Sequence, residues 1–387
     1  MLTFTKCAIL LIITILLVMP ANAQSTLSEQ NRNEIDDYFN QQLNENEVVG
    51  GALLLLEGDE VEFNSYQGFA DLSEQRKIDQ HTIFHWASIT KTLTAIGVMQ
   101  LRDQGLLTLD DSLTDYLPEL REIHNPFGSM DDLTIRMALN HSTGLRNATW
   151  PWGGNEDWHP FEPTEWGQLV AMFPYTKVEF EPGSRHSYSN PAIIFLGKII
   201  EQLSGESWEV YTDKNILKPL EMHRSYFNHT PKHLLPYRVN SYQIKDGQPE
   251  PRGHDFHAGI TTSNGGLNAP LTDMIKYLKF LLDQTNEKQK VLKRSSLEEL
   301  WEIELPIEEA NGIKSSVGLS FFIEEFEGMR VIGHTGTQWS NYSWFYIHPE
   351  SRTAAISVTN TDGKYNMHDF RREMSQFIFK NFFTLYK

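Results

Sequence analysis

Apolar residues recur four apart at Ile35, Phe39 and Leu43, the spacing of one helix face. The period then changes. Two apolar runs, 48–56 (VVGGALLLL) and 61–66, flank a Gly58-Asp59 turn and predict a pair of strands. Helical spacing returns after Ser88, with Leu93, Ile96 and Leu101 apolar and Gly105 at the predicted end. From about 106 to 264, helical stretches alternate with long loops rich in Pro, Gly and Trp. Strand-like runs resume at 317–323, 329–333, 342–347 and 354–359, and Phe370, Met374 and Ile378 mark a last amphipathic helix. The pattern predicts an α/β protein of two lobes. A sheet lobe would take about 24–105 and 265–387, and a helical lobe about 106–264. Small-molecule sites tend to lie in a cleft between such lobes.

Ahead of this pattern stands a basic start ending at Lys6, an apolar run over 8–19, and Pro20-Ala21-Asn22-Ala23. That order predicts a secretory signal peptide, residues 1–23, cut after Ala23. Its apolar run is short for a membrane span, and an uncleaved anchor is the alternative reading. Cleavage removes Cys7, the only cysteine, so the mature chain would have no disulfide, thiol nucleophile or cysteine zinc site. The expected location is secreted or periplasmic, and stability must come from the core. A net charge of −18 disfavours nucleic acid and anionic membrane surfaces as partners. The expected partner is a small-molecule or peptide-like substrate, with no stable membrane insertion after leader cleavage. Oligomeric state is left open.

Candidate chemistry starts at Ser88-Ile89-Thr90-Lys91. Residues three apart on a helix share a face, so the Lys91 amine can reach the Ser88 hydroxyl. Serine needs a neighbour to take its proton, and lysine can do so only when burial or nearby positive charge holds it neutral. The bland reading is a helix N-cap beside a solvated lysine. Tyr188-Ser189-Asn190 follows a Pro182-Gly183 turn and can be presented from a loop. Cationic neighbours would favour a Tyr188 phenolate able to pass protons, and Asn190 can bond a substrate amide through both its ends. Alternatively, the pair merely closes a turn. His334-Thr335-Gly336 is placed at a strand end before a turn, where Gly336 allows close approach. His334 alone could be a core histidine.

Taken in order, S-x-x-K, Y-x-N and H-T-G resemble the motifs of the penicillin-recognising serine hydrolases: Tyr-containing (class C) serine beta-lactamases, DD-peptidases and related esterases and D-amino-acid peptidases. The resemblance covers about 48 to 360. Trp86-Ala87-Ser88, the segment Leu139-Asn140-His141-Ser142-Thr143-Gly144-Leu145, Gly265-Gly266-Leu267 and Asp273-Met274 add to it. It implies a beta-lactamase/transpeptidase-like fold, an antiparallel sheet flanked by the terminal helices with a mainly helical second lobe. It also implies roles: Ser88 is acylated, Lys91 and Tyr188 move protons, Asn190 and His334 position substrate, and the N–H groups of Ser88 and Thr337 form an oxyanion hole. No cofactor and no metal are implied.

A histidine in place of a lysine in the third motif is only partly charged near neutrality, so a substrate carboxylate would be held less firmly. That favours an ester or peptide-like amide as substrate. A DD-carboxypeptidase or D-aminopeptidase is the alternative, followed by a beta-lactamase. A non-turnover penicillin-binding protein, or a dead scaffold, is the reading from another class. Bulk at Thr337 and Trp339 would reshape the pocket. His141 reads as structural. His254 and His257 beside Asp255 have metal-like spacing without a third cluster. Four of the nine tryptophans, Trp150, Trp152, Trp158 and Trp166, either rim the cleft or form a satellite core.

Overall fold

The computed structural model describes residues 26–145, 163–255, 258–285 and 291–387. The expected signal peptide with Cys7, the tryptophans at 150, 152 and 158, and His257 lie outside these residues.

The leucine run forms β1 (Gly50–Glu57), whose two faces are both covered. Ala52, Leu54 and Leu56 enter one core, and Leu53 and Leu55 enter the other. A strand packed on both faces reads as a continuous apolar run rather than an alternating one, and each fully buried leucine contributes roughly 1.5–3 kcal/mol. β2 (Glu60–Asp71) folds back antiparallel on β1, and β3 (Arg76–Lys77) adds to its far side.

The remaining strands are β4 (Ile83–Ala87), β5 (Tyr226–Phe227), β6 (Ser241–Lys245), β7 (Gln248–Gly253), β8 (Leu267–Pro270), β9 (Leu305–Ala310), β10 (Ile313–Val317), β11 (Phe322–Phe326), β12 (Met329–Gln338), β13 (Asn341–His348), β14 (Thr353–Thr359) and β15 (Thr361–Asp362). The main sheet runs β3-β2-β1-β14-β13-β12-β11-β10-β9, antiparallel throughout. β4, β8 and β5 form a small sheet, and β15, β6 and β7 another.

One face of the main sheet is covered by the first helix, Glu29–Glu45, and the C-terminal helix, Met367–Asn381. Ile35, Phe39 and Leu43 on the first and Phe370, Met374 and Ile378 on the second fill that core, as their spacing predicts. On the other face lie the helices Thr90–Asp103, Asn190–Ser204 and Leu271–Leu282. The mixed α/β architecture, with a large antiparallel sheet and terminal helices, is the one expected.

Several local expectations are corrected. The run at 317–323 is not one strand but the junction of β10 and β11, which pair as Val317 with Phe322. Gly318 passes so close to Leu300 that a Cβ would sit 2.4 Å from its carbonyl oxygen, and Ser320 has a φ of 61°. Both features break a strand that apolar content alone would continue. The third motif does not end its strand. β12 runs on to Gln338, and the turn is Trp339-Ser340, both at positive φ as a two-residue hairpin requires. The middle of the chain also carries strands, β5 to β7, and the Thr90–Asp103 helix packs against Asn190–Ser204 from that middle.

β11 stays paired with β12 only up to Gly333, opposite Phe322. Beyond it, residues 334–338 of β12 have β13 on one side and an open edge on the other. That edge faces the end of β4, from which the Ser88 helix departs.

Candidate active site

Ser88 sits where β4 becomes a helix. Ala87 takes a left-handed φ of 49°, a conformation that costs a non-glycine residue of order 1–3 kcal/mol and persists where the surroundings fix it. Here they do. Thr90 Oγ1 donates to the Ala87 carbonyl (2.6 Å) and accepts from the Leu267 N–H (3.0 Å), while Trp86 Nε1 donates to the Ala269 carbonyl (2.9 Å). The chain reverses here, where β4 gives way to the helix that follows Ser88. Among the described residues, nothing accepts the Ser88 N–H.

Lys91 lies in the first turn of the Thr90–Asp103 helix and is fully buried. Its Nζ is 2.9 Å from Ser88 Oγ and donates to the Asn264 carbonyl at 2.7 Å. Among the described residues no carboxylate pairs with it, and burial holds its amine well below the ordinary lysine value. The solvated-lysine reading is thereby excluded.

Tyr188 comes from the loop ahead of the Asn190–Ser204 helix, with its ring 4.9 Å from Lys91 Nζ and its hydroxyl hydrogen-bonded with Ser88. Burial raises the phenol well above its usual range, outweighing the Ser88 bond and the Arg371 charge that act the other way. The condition for a phenolate, cationic neighbours that outweigh burial, is not met. Ser189 caps the helix by accepting from the Ala192 N–H. Asn190 is the first helical residue rather than a loop residue, and its carbonyl receives the Asn264 side chain at 3.5 Å. His141 is structural in the way expected. Its Nδ1 accepts the Ser189 N–H (3.2 Å), and its ring lies 4.5 Å from that of Tyr188.

His334 on β12 is buried, 6.4 Å from the Tyr188 ring and 4.9 Å from Phe322. Its Nδ1 donates to the Thr335 carbonyl (2.6 Å), leaving Nε2 without a described partner. Burial first, then Lys91, lowers its pKa to about 3. It is neutral at pH 7, not partly charged as expected, because the sequence does not reveal how completely the ring is enclosed. His334→Asn is therefore expected to leave the pH dependence of kcat/KM between pH 5 and 8 unchanged, whatever it does to KM. A pH-rate series on both proteins checks this.

Gly336 has a clear reason to be glycine. A Cβ there would lie 2.3 Å from the Trp86 carbonyl oxygen and 2.5 Å from Ser343 Oγ. The missing side chain lets the open edge of β12 approach β4, bringing Thr337 toward the nucleophile. Gly336→Ala should cost about 1–3 kcal/mol from overpacking and lower activity more than the stability loss explains. Thermal melts beside kcat/KM would separate the two effects.

Sequence reasoning missed three contributors. Arg371 on the C-terminal helix donates through Nη1 to Thr337 Oγ1 (2.8 Å) and the Gly336 carbonyl (3.3 Å). Its signal was present: it lies three before Met374 and seven before Ile378, a cation on the apolar stripe. His85 bridges Asn268 Oδ1 (3.0 Å) and Gln338 Oε1 (2.8 Å), and Asn264 supplies its carbonyl to Lys91. No local pattern marks either. Asp255 accepts from the Thr230 N–H (3.2 Å), and His254 Nδ1 lies 3.2 Å from the Val239 carbonyl. Trp166 packs against Phe173 and Phe195 and donates to Glu119 (2.7 Å), which favours the satellite-core reading for that residue.

Comparison with known proteins adds the following. A family model described as Beta-lactamase matches residues 35–376. Penicillin-binding protein 4* of Bacillus subtilis (strain 168) is 23% identical over 352 residues, 87% of this chain and 73% of that protein. Protein flp of Staphylococcus aureus (strain MW2) is 21% identical over 339 residues, 88% of this chain but 65% of that protein, so the chain spans less than two thirds of this relative. Among solved structures, the octameric penicillin-binding protein homologue from Pyrococcus abyssi superposes with a TM-score of 0.76 at 25% identity, over 90% of this chain and 77% of that one. A penicillin binding protein from Bacillus halodurans gives 0.70 at 21% identity, over 88% and 99% of the two chains.

Proposed function

This chain belongs to the Beta-lactamase family, whose members are serine hydrolases, and from that premise we propose that it is an exported hydrolase working through an acyl-Ser88 intermediate on an ester or peptide-like amide. The observation that carries this reading is the pair of shifted groups on one hydroxyl. Lys91 Nζ and the Tyr188 hydroxyl both contact Ser88, and burial lowers the amine while it raises the phenol. Two titratable groups driven apart by their surroundings divide into a base and an acid.

Lys91 takes the Ser88 proton as Oγ attacks the substrate carbonyl. The oxygen that becomes negative is met by the N–H groups of Ser88 and Thr337. Donors fixed where charge develops are worth more in the transition state than in the ground state. The bond to the leaving group breaks as Tyr188 gives it a proton, and the proton on Lys91 restores that of Tyr188. Water then adds to the acyl group with Lys91 again as base, releasing the acid and regenerating Ser88. Asn190 and the free Nε2 of His334 orient the substrate.

A neutral His334 gives no charge to grip a carboxylate, which supports an ester or uncharged acyl substrate ahead of a beta-lactam. The test is to mix the leader-free protein with a chromogenic short-chain ester, quench in acid and weigh the intact protein. An acyl adduct mapped to Ser88, with continuing turnover, supports the reading. An adduct without turnover would instead make the protein a sink. Failure to form any adduct with esters, D-peptides or benzylpenicillin would overturn it.

A further inference from the structure

Along β12 side chains alternate between the two cores, so Thr335 faces the C-terminal helix while His334 faces the helical layer behind Ser88. Between that outer sheet face and the helix lies a cavity of about 390 Å³. Its floor is a row across three adjacent strands: Glu308 on β9 pairs with Ser315 on β10, which pairs with Glu324 on β11. Its opposite wall carries Arg371 and Arg372 from consecutive positions of the C-terminal helix, and Thr335 closes one end.

Carboxylates and guanidinium groups thus line one cavity, yet no ion pair joins floor to wall among the described residues. Glu324 accepts one hydrogen bond, from Ser315 Oγ (2.5 Å). Glu308 has no described hydrogen bond or ion pair. Arg371 uses Nη1 on Thr337 and Gly336, and Arg372 pairs with Asp369 of its own helix at 2.6 Å. Burial, with Glu308 adding to it, pushes the Glu324 carboxyl up to about 7. A cation delivered to the floor would relieve that cost. Separated opposite charges facing each other across a space of this size call for a molecule that carries both.

We propose that this cavity binds a small zwitterion, a free amino acid or the end residue of a short peptide, with its carboxylate on Arg371 and its ammonium on Glu324. The site is independent of the acyl-serine reading, because nothing in it requires Ser88. It is nevertheless connected to the catalytic strand, since the Arg371 guanidinium that would take the carboxylate also holds Thr337. A ligand held there would act on the catalytic strand as an effector.

Calorimetric titration of the leader-free protein with D-alanine, L-alanine and N-acetyl-D-alanine tests the proposal. A free alanine is expected to bind at least about tenfold more tightly than the acetylated compound, which lacks the ammonium. Glu324→Gln should abolish that discrimination while leaving hydrolysis of a neutral ester intact, which also shows that the variant folds. Ser88→Ala should bind alanine as the wild type does, whether or not it hydrolyses anything. A change in kcat without competition is the expected effect of alanine on ester hydrolysis, whereas competitive inhibition would place it at Ser88 and overturn the proposal. No binding of either enantiomer at millimolar concentration, or discrimination that survives Glu324→Gln, would overturn the proposal.

Discussion

Ser88→Ala is expected to lower kcat by about 10⁴- to 10⁶-fold against any substrate the wild type turns over, the scale on which loss of a serine nucleophile is felt. The size follows from the lack of a substitute. Other hydroxyls near the turn are already engaged: Thr90 Oγ1 donates to the Ala87 carbonyl, Ser343 Oγ donates to the Trp86 carbonyl, and Thr337 Oγ1 accepts from Arg371. None of these three has the Lys91 amine among its described hydrogen-bond partners. The variant should remain folded, because the Ala87 turn is held by Thr90 and Trp86 rather than by the Ser88 side chain. A thermal melt close to that of the wild type, with activity lost and no adduct by mass spectrometry, is the expected combination. Substantial residual hydrolysis by the purified variant would require another nucleophile and end the assignment.

The identities of these groups were legible in the sequence, while their charge states were not. S-x-x-K, Y-x-N and H-T-G are local words, and Ser88, Lys91, Tyr188 and His334 come together because the elements carrying them were also readable. Ile35, Phe39 and Leu43, the β1 leucines, and Phe370, Met374 and Ile378 mark the layers that place β12 beside β4. Charge depends instead on enclosure, which is made by residues far apart in the chain. His334 was expected to titrate near neutrality, yet Phe322 and Tyr188 enclose it and drive it to about 3. A cationic neighbour would favour a Tyr188 phenolate, and Arg371 acts in that sense, yet burial exceeds its help. Arg371 itself arrives from the far end of the chain, and only its place on an apolar stripe hinted that its guanidinium points inward. The failed strand at 317–323 has the same origin. Apolar content continues through Leu319 and Phe321, but Gly318 must pass against the Leu300 carbonyl, a contact that no local pattern encodes.

Lys91→Met and Tyr188→Phe should each reduce kcat/KM by roughly a hundredfold or more, the usual contribution of a positioned acid or base, and pH should tell the two apart. Burial lowers the Lys91 amine, so the wild-type rate should fall as pH drops through that lowered value and the base becomes protonated. Lys91→Met should lose this acid limb along with the rate. Tyr188 is shifted the other way, so loss of its proton should not limit the rate until above the ordinary tyrosine range. Tyr188→Phe should retain the acid limb set by Lys91. Stability gives an independent sign. A lysine whose folded pKa is depressed binds fewer protons folded than unfolded between that pKa and its ordinary value, so its contribution makes the fold more stable as pH rises across that window. Lys91→Met removes this slope, since methionine buries without a charge to desolvate. Denaturant melts of wild type and variant across that window would read it directly. An unchanged slope in the variant, or a wild-type rate flat through the acid range, would mean that Lys91 is not the neutral base this geometry describes.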